Sequence, residues 1–170
     1  ARFVAEGLQP QPAAWCREVQ ALVLSSPALA IEMNALQKLL LATLGPLAPN
    51  LAVGNGLNPA WVSRDPAVVA AYVADPLVHD RITPRLTRFI VDGGAFVRRL
   101  APRWRVPTLL MWAGSDLCVA PRGSAEFAAA APKAVLQAQV FEPMYHEIFN
   151  EPEQAQVFTR QSEERRVGKE

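Results

Sequence analysis

Two residues in the last third of the chain, Asp116 and His146, have the types and surroundings of a general acid–base pair. Asp116 follows an apolar run in Val-Pro-Thr-Leu-Leu-Met-Trp-Ala-Gly-Ser-Asp-Leu-Cys-Val, residues 106–119. His146 follows a second run, in Phe-Glu-Pro-Met-Tyr-His-Glu-Ile-Phe-Asn-Glu, residues 141–151. The interval between them has room for one helix and one strand. That spacing puts both side chains at the same edge of adjacent parallel strands. There, a carboxylate on the imidazole fixes its tautomer and stabilises the imidazolium formed when it takes a proton. One triad architecture places its acid and then its His in this order, after the nucleophile. The nucleophile motif of that architecture, Gly-x-Ser-x-Gly, does not occur in the 170 residues. The chain therefore reads as the back half of an enzyme, with acid and base present and the nucleophile and its adjoining oxyanion donor absent. Ser25 and Ser26 end an apolar run at the correct edge, but they lack the flanking glycines that expose a serine Oγ on a sharp turn. A loop or lining role is expected for both, and a turn hydrogen bond for Ser115.

Other polar groups carry weaker signals. Asp75, His79 and Asp80 have an acid–His spacing that makes half a metal site on a helix. No further ligand stands nearby in sequence, and Asp75-Pro76 reads as a helix N-cap followed by proline. Gly54-Asn55-Gly56 resembles the start of a dinucleotide fingerprint, but Pro59 replaces the third glycine and no strand precedes it, so a loop is expected. The two cysteines, Cys16 and Cys118, show neither metal spacing nor a disulfide framework. No metal or cofactor is expected.

The elements that position these residues follow from hydrophobic period and punctuation. Residues 1–9 have helical spacing and no cap, and read as the rest of a helix begun upstream. Residues 19–24 read as a buried strand. From 28 to 105 the pattern is helical and broken by Pro and Gly. It includes an apolar helix over 31–44, stopped by Gly45-Pro46, a helix start at Asp65-Pro66, and a helix from Thr83-Pro84 to about Leu100. Such an insertion is too long for a simple crossover and reads as a cap. The βα alternation resumes with strands over 108–112 and 135–141, a helix over 121–131, and a last helix opened by acidic residues at 151–153. Leu36, Leu39, Leu40, Leu41, Leu44 and Leu47 exceed what one buried helix face needs. They suggest an acyl-chain tunnel or a membrane-facing lid rather than plain packing. The charged stretch 161–170 offers almost no apolar surface and reads as foreign to the fold or disordered.

Composition bounds the function. The chain is 51% hydrophobic and 19% charged, with a net charge of +1. That content supports one folded core, and the charge gives no footprint for nucleic acid. No run is long enough to span a bilayer. A reducing, cytoplasmic setting is the expectation from cysteine usage.

Four sequence words narrow the reading: Leu-Ser-Ser-Pro-Ala-Leu at 24–29, Asp-Pro-Leu-Val-His-Asp at 75–80, the strand and Gly-Ser-Asp word at 106–116, and Tyr-His-Glu-Ile-Phe-Asn-Glu at 145–151. Over residues 1–160 the chain resembles the monoglyceride lipase and lysophospholipase branch of the α/β-hydrolases, also described as serine aminopeptidase S33-like. The resemblance implies an α/β fold, a parallel-sheet hydrolase fragment with a helical cap insertion. It implies hydrolase core at 1–27, cap at 28–105 and core again at 106–160. By position, Asp116 resembles the triad acid and His146 the triad base. The implied activity is serine-dependent hydrolysis of lipid-like esters, with a small-molecule ester as partner and membrane contact through the cap. An Asp in the missing elbow would instead imply an epoxide hydrolase or dehalogenase. A non-nucleophilic residue there would imply a lipid- or partner-binding module.

Overall fold

The computed structural model describes residues 1–167. Its centre is a parallel sheet of β1 (Leu22–Ser25), β4 (Thr108–Ala113) and β5 (Leu136–Phe141), in the order β1-β4-β5. Leu24 pairs with Leu110, and Leu110 with Ala138. Between the first two of these strands lie α2 (Ala35–Leu47), the short antiparallel pair β2 (Val53–Gly54) and β3 (Arg81–Ile82), α3 (Pro66–Ala74) and α4 (Pro84–Leu100). The short helix α1 (Arg2–Gly7) precedes the sheet. The helices α5 (Pro121–Ala130) and α6 (Gln154–Val167) follow β4 and β5.

All six residues of β4 are buried. Successive side chains point to opposite faces of a strand, so this one strand serves two cores. Leu110 and Trp112 face a cluster with Val4 and Ala5 of α1, Val97 of α4 and Phe127 of α5. Leu109, Met111 and Ala113 face Met144, Ile148 and Val157 of α6. A strand covered on both faces has no polar alternation, which is why 108–113 reads as one apolar run. Trp104 closes the first cluster edge-on to Phe127, with ring centroids 4.9 Å apart. Its indole N–H donates to Thr108 Oγ1 at 2.8 Å, so the buried donor is satisfied.

The chain leaves the sheet for the cap through Leu29 and Ala30, both buried. Two helices pack directly on that backbone, and each does so with a glycine. A Cβ on Gly94 of α4 would overlap the Leu29 carbonyl, and one on Gly123 of α5 would lie 2.5 Å from the Ala30 nitrogen. Arg98 of α4 donates to the Leu29 carbonyl and pairs with Glu126 of α5 at 2.9 Å. Gly94→Ala is therefore expected to lower stability by about 2 kcal/mol, the cost of overpacking against atoms that cannot rotate away. The urea midpoint of the variant measures it.

The structure revises several boundaries. α2 starts at Asn34, whose side chain and that of Gln37 form a reciprocal capping box, and it runs through Pro46 to Leu47. A proline in the last turn removes one hydrogen bond, yet Ala48 N–H still reaches Leu44 O at 2.8 Å and closes the helix. No residue of α2 is buried, and the helix packs on α4 rather than on the sheet. Asp75 does not open a helix. It ends α3 and accepts the Leu77 N–H at 2.8 Å, a local turn that competes with N-capping for the same side chain. Asp65 and Thr83 do cap α3 and α4. Glu151 and Glu153 precede α6 rather than forming its first turn. Of the tail 161–170, residues 161–167 continue α6 as helix, and 168–170 lie outside the described residues.

Candidate active site

Both candidate residues sit on loops that leave the sheet at one edge. β4 ends in Gly114-Ser115-Asp116, and β5 ends in the loop 142–147. The two loops cross so closely that Gly114 can carry no side chain: a Cβ there would lie 2.7 Å from Glu142 Cα. Gly114 N–H donates to Phe141 O, Ser115 N–H to Met144 O and Ser115 Oγ to Glu142 O, at 3.0, 3.2 and 2.7 Å. Ser115 is thus a hydrogen-bonder as its type predicts, but it stitches two loops instead of one turn.

This stitching brings Asp116 against His146. His146 Nδ1 lies 2.8 Å from Asp116 Oδ2, with the carboxylate side chain 1% exposed and the imidazole 30% exposed. A carboxylate only accepts, so in a neutral imidazole paired with it Nδ1 carries the proton and Nε2 is left as the acceptor. The other carboxylate oxygen, Oδ1, accepts the backbone N–H groups of Cys118 and Val119 at 2.8 and 3.0 Å. Two backbone donors and one imidazole donor satisfy a buried negative charge that would otherwise be costly. Beside it, the Cys118 thiol is pushed up to about 12 by burial first, and then by the negative charges of Asp116 and Glu147.

A second set of contacts fixes the His146 loop from the other side. Glu147 N–H donates to Val62 O at 2.8 Å, and Ser63 Oγ to Asn150 O at 3.0 Å. Glu151, fully buried in its side chain, accepts the Arg64 backbone N–H at 2.6 Å and the Arg64 guanidinium Nε at 2.5 Å. Arg64 also pairs with Glu153. Burial pushes the Glu151 carboxyl up. Hydrogen bonds from the Arg64 backbone and side chain, Ser63 and Tyr145 outweigh it, so the group is held below its ordinary value. Segment 62–65 of the cap is thereby clamped to the loop that carries His146. Sequence reading missed this clamp. Its only trace was two glutamates before a helix, which fit the helix dipole equally well.

The remaining polar residues behave differently. Ser26 is buried and its Oγ accepts the Ala113 N–H at 3.3 Å, while its own N–H donates to Met111 O. It adopts φ of 36°, a strained value for a non-glycine, at the junction where β1 turns into the cap. Ser25 is exposed. The half-site at Asp75, His79 and Asp80 does not assemble: His79 Nδ1 accepts the Arg81 N–H, and Asp80 pairs with Arg81.

Between cap and core lies a cavity of about 870 Å³. Leu40, Leu41 and Leu44 of α2 line it, with Val53, Leu57, Ile82 and Ile90; Asp116, Leu117 and Cys118 of the loop after β4 line it too. The extra leucines of α2 are thus divided. Three line this cavity, while Leu36, Leu39 and Leu47, 62%, 60% and 82% exposed, face outward.

The serine aminopeptidase S33 family model matches residues 8–153, which include the whole cap and both loop residues. The chain belongs to this α/β-hydrolase family. Within it, the chain is 36% identical over 144 residues to a monoacylglycerol lipase of Mycolicibacterium smegmatis, covering 82% of this chain and 51% of that protein. It is 30% identical to phospholipase YtpA of Bacillus subtilis over 82% of this chain and 55% of that one. Among solved structures, the monoacylglycerol lipase of Paleococcus ferrophilus superposes with a TM-score of 0.79 at 34% identity, covering 92% of this chain and 59% of that one. The chain therefore spans about half the length of these relatives. The α/β-hydrolase fold expected from the sequence words holds, with its parallel sheet and the cap between β1 and β4.

Proposed function

We propose that the protein carrying this chain is a serine hydrolase of lipid-like esters, with Asp116 and His146 as triad acid and base. The observation that supports it most is the pairing itself: a hydrogen-bonded buried carboxylate and partly exposed imidazole, with Asp116 among the residues lining an apolar cavity large enough for an acyl chain. In this reading the attacking hydroxyl comes from a segment outside these 170 residues. His146 Nε2 takes the hydroxyl proton as Oγ attacks the ester carbonyl, and Asp116 stabilises the imidazolium. His146 then passes that proton to the leaving alcohol, and later activates the water that releases the fatty acid. None of these steps calls for a metal or organic cofactor.

The cavity wall argues for an acyl substrate, and the outward leucines of α2 argue for contact with the lipid aggregate that presents it. No described helix is long and apolar enough to cross a membrane. Cys16 and Cys118 are free thiols, which suits a reducing compartment such as the cytoplasm.

The test is turnover of a long-chain monoacylglycerol against a short p-nitrophenyl ester, together with labelling by a fluorophosphonate probe. Leu41→Glu puts a charge on the apolar cavity wall. It is expected to lower kcat/KM for the long-chain ester by about 100-fold and for the short ester far less. Equal losses on both substrates would remove the cavity from the acyl site. Failure of the parent protein to label or to hydrolyse either ester would remove the function itself.

A further inference from the structure

Cys118 has no role in ester hydrolysis, yet its thiol stands beside both residues that do. The Asp116 carboxylate, the Cys118 Sγ and a ring nitrogen of His146 all lie within 4.8 Å of one another. Among the described residues they are the one group of at least three His, Cys, Asp or Glu side chains spaced to hold an ion. The two loops that supply them are already stitched together at Ser115, so the group is assembled by the fold rather than by chance exposure. We propose that Asp116, Cys118 and His146 form an inhibitory site for a thiophilic divalent cation of the zinc class.

Three features of the geometry carry this. The first is the donor set. One sulfur, one imidazole nitrogen and one carboxylate oxygen suit zinc and disfavour magnesium or calcium, which take all-oxygen shells. The second is spacing. Adjacent oxygen and nitrogen ligands in a tetrahedral zinc site stand about 3.3 Å apart, given bonds of about 2.0 Å. Asp116 Oδ2 and His146 Nδ1 are 2.8 Å apart, a hydrogen-bond separation that a proton on Nδ1 would bridge. Replacing that proton by the ion needs a separation of about half an ångström and an approach of the Cys118 side chain. The third is support and access. Cys118 and Val119 N–H groups hold Asp116 Oδ1, which leaves Oδ2 to bind and keeps the carboxylate oriented. Asp116 and Cys118 are among the residues that line the cavity, and the His146 imidazole is 30% exposed, so the ion reaches the group from the imidazole side.

Binding balances in protons and charge. The incoming ion displaces the Cys118 proton to solvent, so the thiolate forms only with the ion bound. The imidazole proton moves from Nδ1 to Nε2. Thiolate and carboxylate together neutralise the dication. The tautomer change is what inhibits: an Nε2 that carries a proton cannot accept one from a nucleophile. Occupancy by the ion is independent of the ester-hydrolase reading. Only the inhibition rests on it.

The experiment uses the whole protein that carries this chain. Cobalt(II) is titrated as a spectroscopic substitute, and zinc by competition with a chromophoric chelator. One equivalent of cobalt is expected to give a thiolate-to-cobalt charge-transfer band in the near ultraviolet. Cys118→Ser and Cys118→Ala should each abolish that band and weaken zinc binding by on the order of 100-fold. Cys16→Ser should change neither. Two Cys118 variants guard against one of them failing to fold, and their circular dichroism is read alongside. In hydrolysis, each variant is compared with its own metal-free rate, and the zinc concentration for half inhibition should rise by about 100-fold in both. Absence of a charge-transfer band, loss of it in Cys16→Ser, or unchanged zinc binding in folded Cys118 variants would each overturn the site. Zinc binding at Cys118 without any inhibition would confirm the ion site and overturn its effect on His146.

Discussion

In the protein that carries this chain, His146→Ala is expected to reduce kcat on a monoacylglycerol by on the order of 10⁶, with KM little changed. In the proposed mechanism the imidazole is the group that moves the proton. With it gone, the attacking hydroxyl is neutral, and the leaving alcohol must depart as an alkoxide. Asp116→Asn is the more informative variant. Asn keeps the volume and can still accept the backbone N–H groups of Cys118 and Val119 on its carbonyl oxygen. The amide nitrogen then replaces Oδ2, 2.8 Å from Nδ1, and it donates rather than accepts. His146 must turn its lone pair toward Asn and its proton toward the nucleophile, the wrong tautomer for a base. A loss of about 10⁴ in kcat is expected, with the fold intact. Melting curves and stopped-time assays of glycerol release separate the two effects. An Asp116→Asn variant within tenfold of the parent rate would end the assignment of Asp116 as the triad acid.

The residues of this pair were legible because their positions are set by strand ends, and strands of 5–6 residues with an apolar period are easy to see. The stretch 108–113 cannot be solvent-facing, so whatever follows it emerges at the sheet edge. The same logic located β5 and the His146 loop. The clamp on that loop was not legible. Arg64 and Glu151 lie far apart in the sequence, and nothing local distinguishes a glutamate that will be buried from one that solvates a helix start. Asp75 shows the converse difficulty. Asp before Pro opens a helix or makes a tight turn with the same side-chain oxygen, and only the packing of α3 decides between them. Likewise the six leucines around α2 signalled excess apolar surface correctly. Their division between a cavity wall and an outer face depends on the orientation of α2 on α4, which no period records.

Glu151→Gln tests how much that hidden clamp contributes. At about pH 7 the variant is expected to lose about 3 kcal/mol, at the low end for breaking a buried pair because the Arg64 side chain is partly solvated. The pH dependence carries the argument further. The folded state holds the Glu151 carboxyl below its ordinary value of 4.5, since its hydrogen-bond donors outweigh its burial. A depressed carboxyl contributes stability that is present above the unfolded value and lost as pH falls through the folded one. The parent protein should therefore lose this contribution in acid. Gln, a neutral mimic of the protonated side chain, has nothing to lose there. The gap between parent and variant should be full near neutrality and should shrink as pH falls below about 4.5. Urea unfolding at a series of pH values reads both curves. Because segment 62–65 also holds the backbone of the His146 loop, the variant should lose hydrolytic rate beyond its loss of folded population. A gap that stayed constant through the acid range would mean that the Glu151 charge is not what holds the loop, leaving its shape and its neutral hydrogen bonds as the source of any loss.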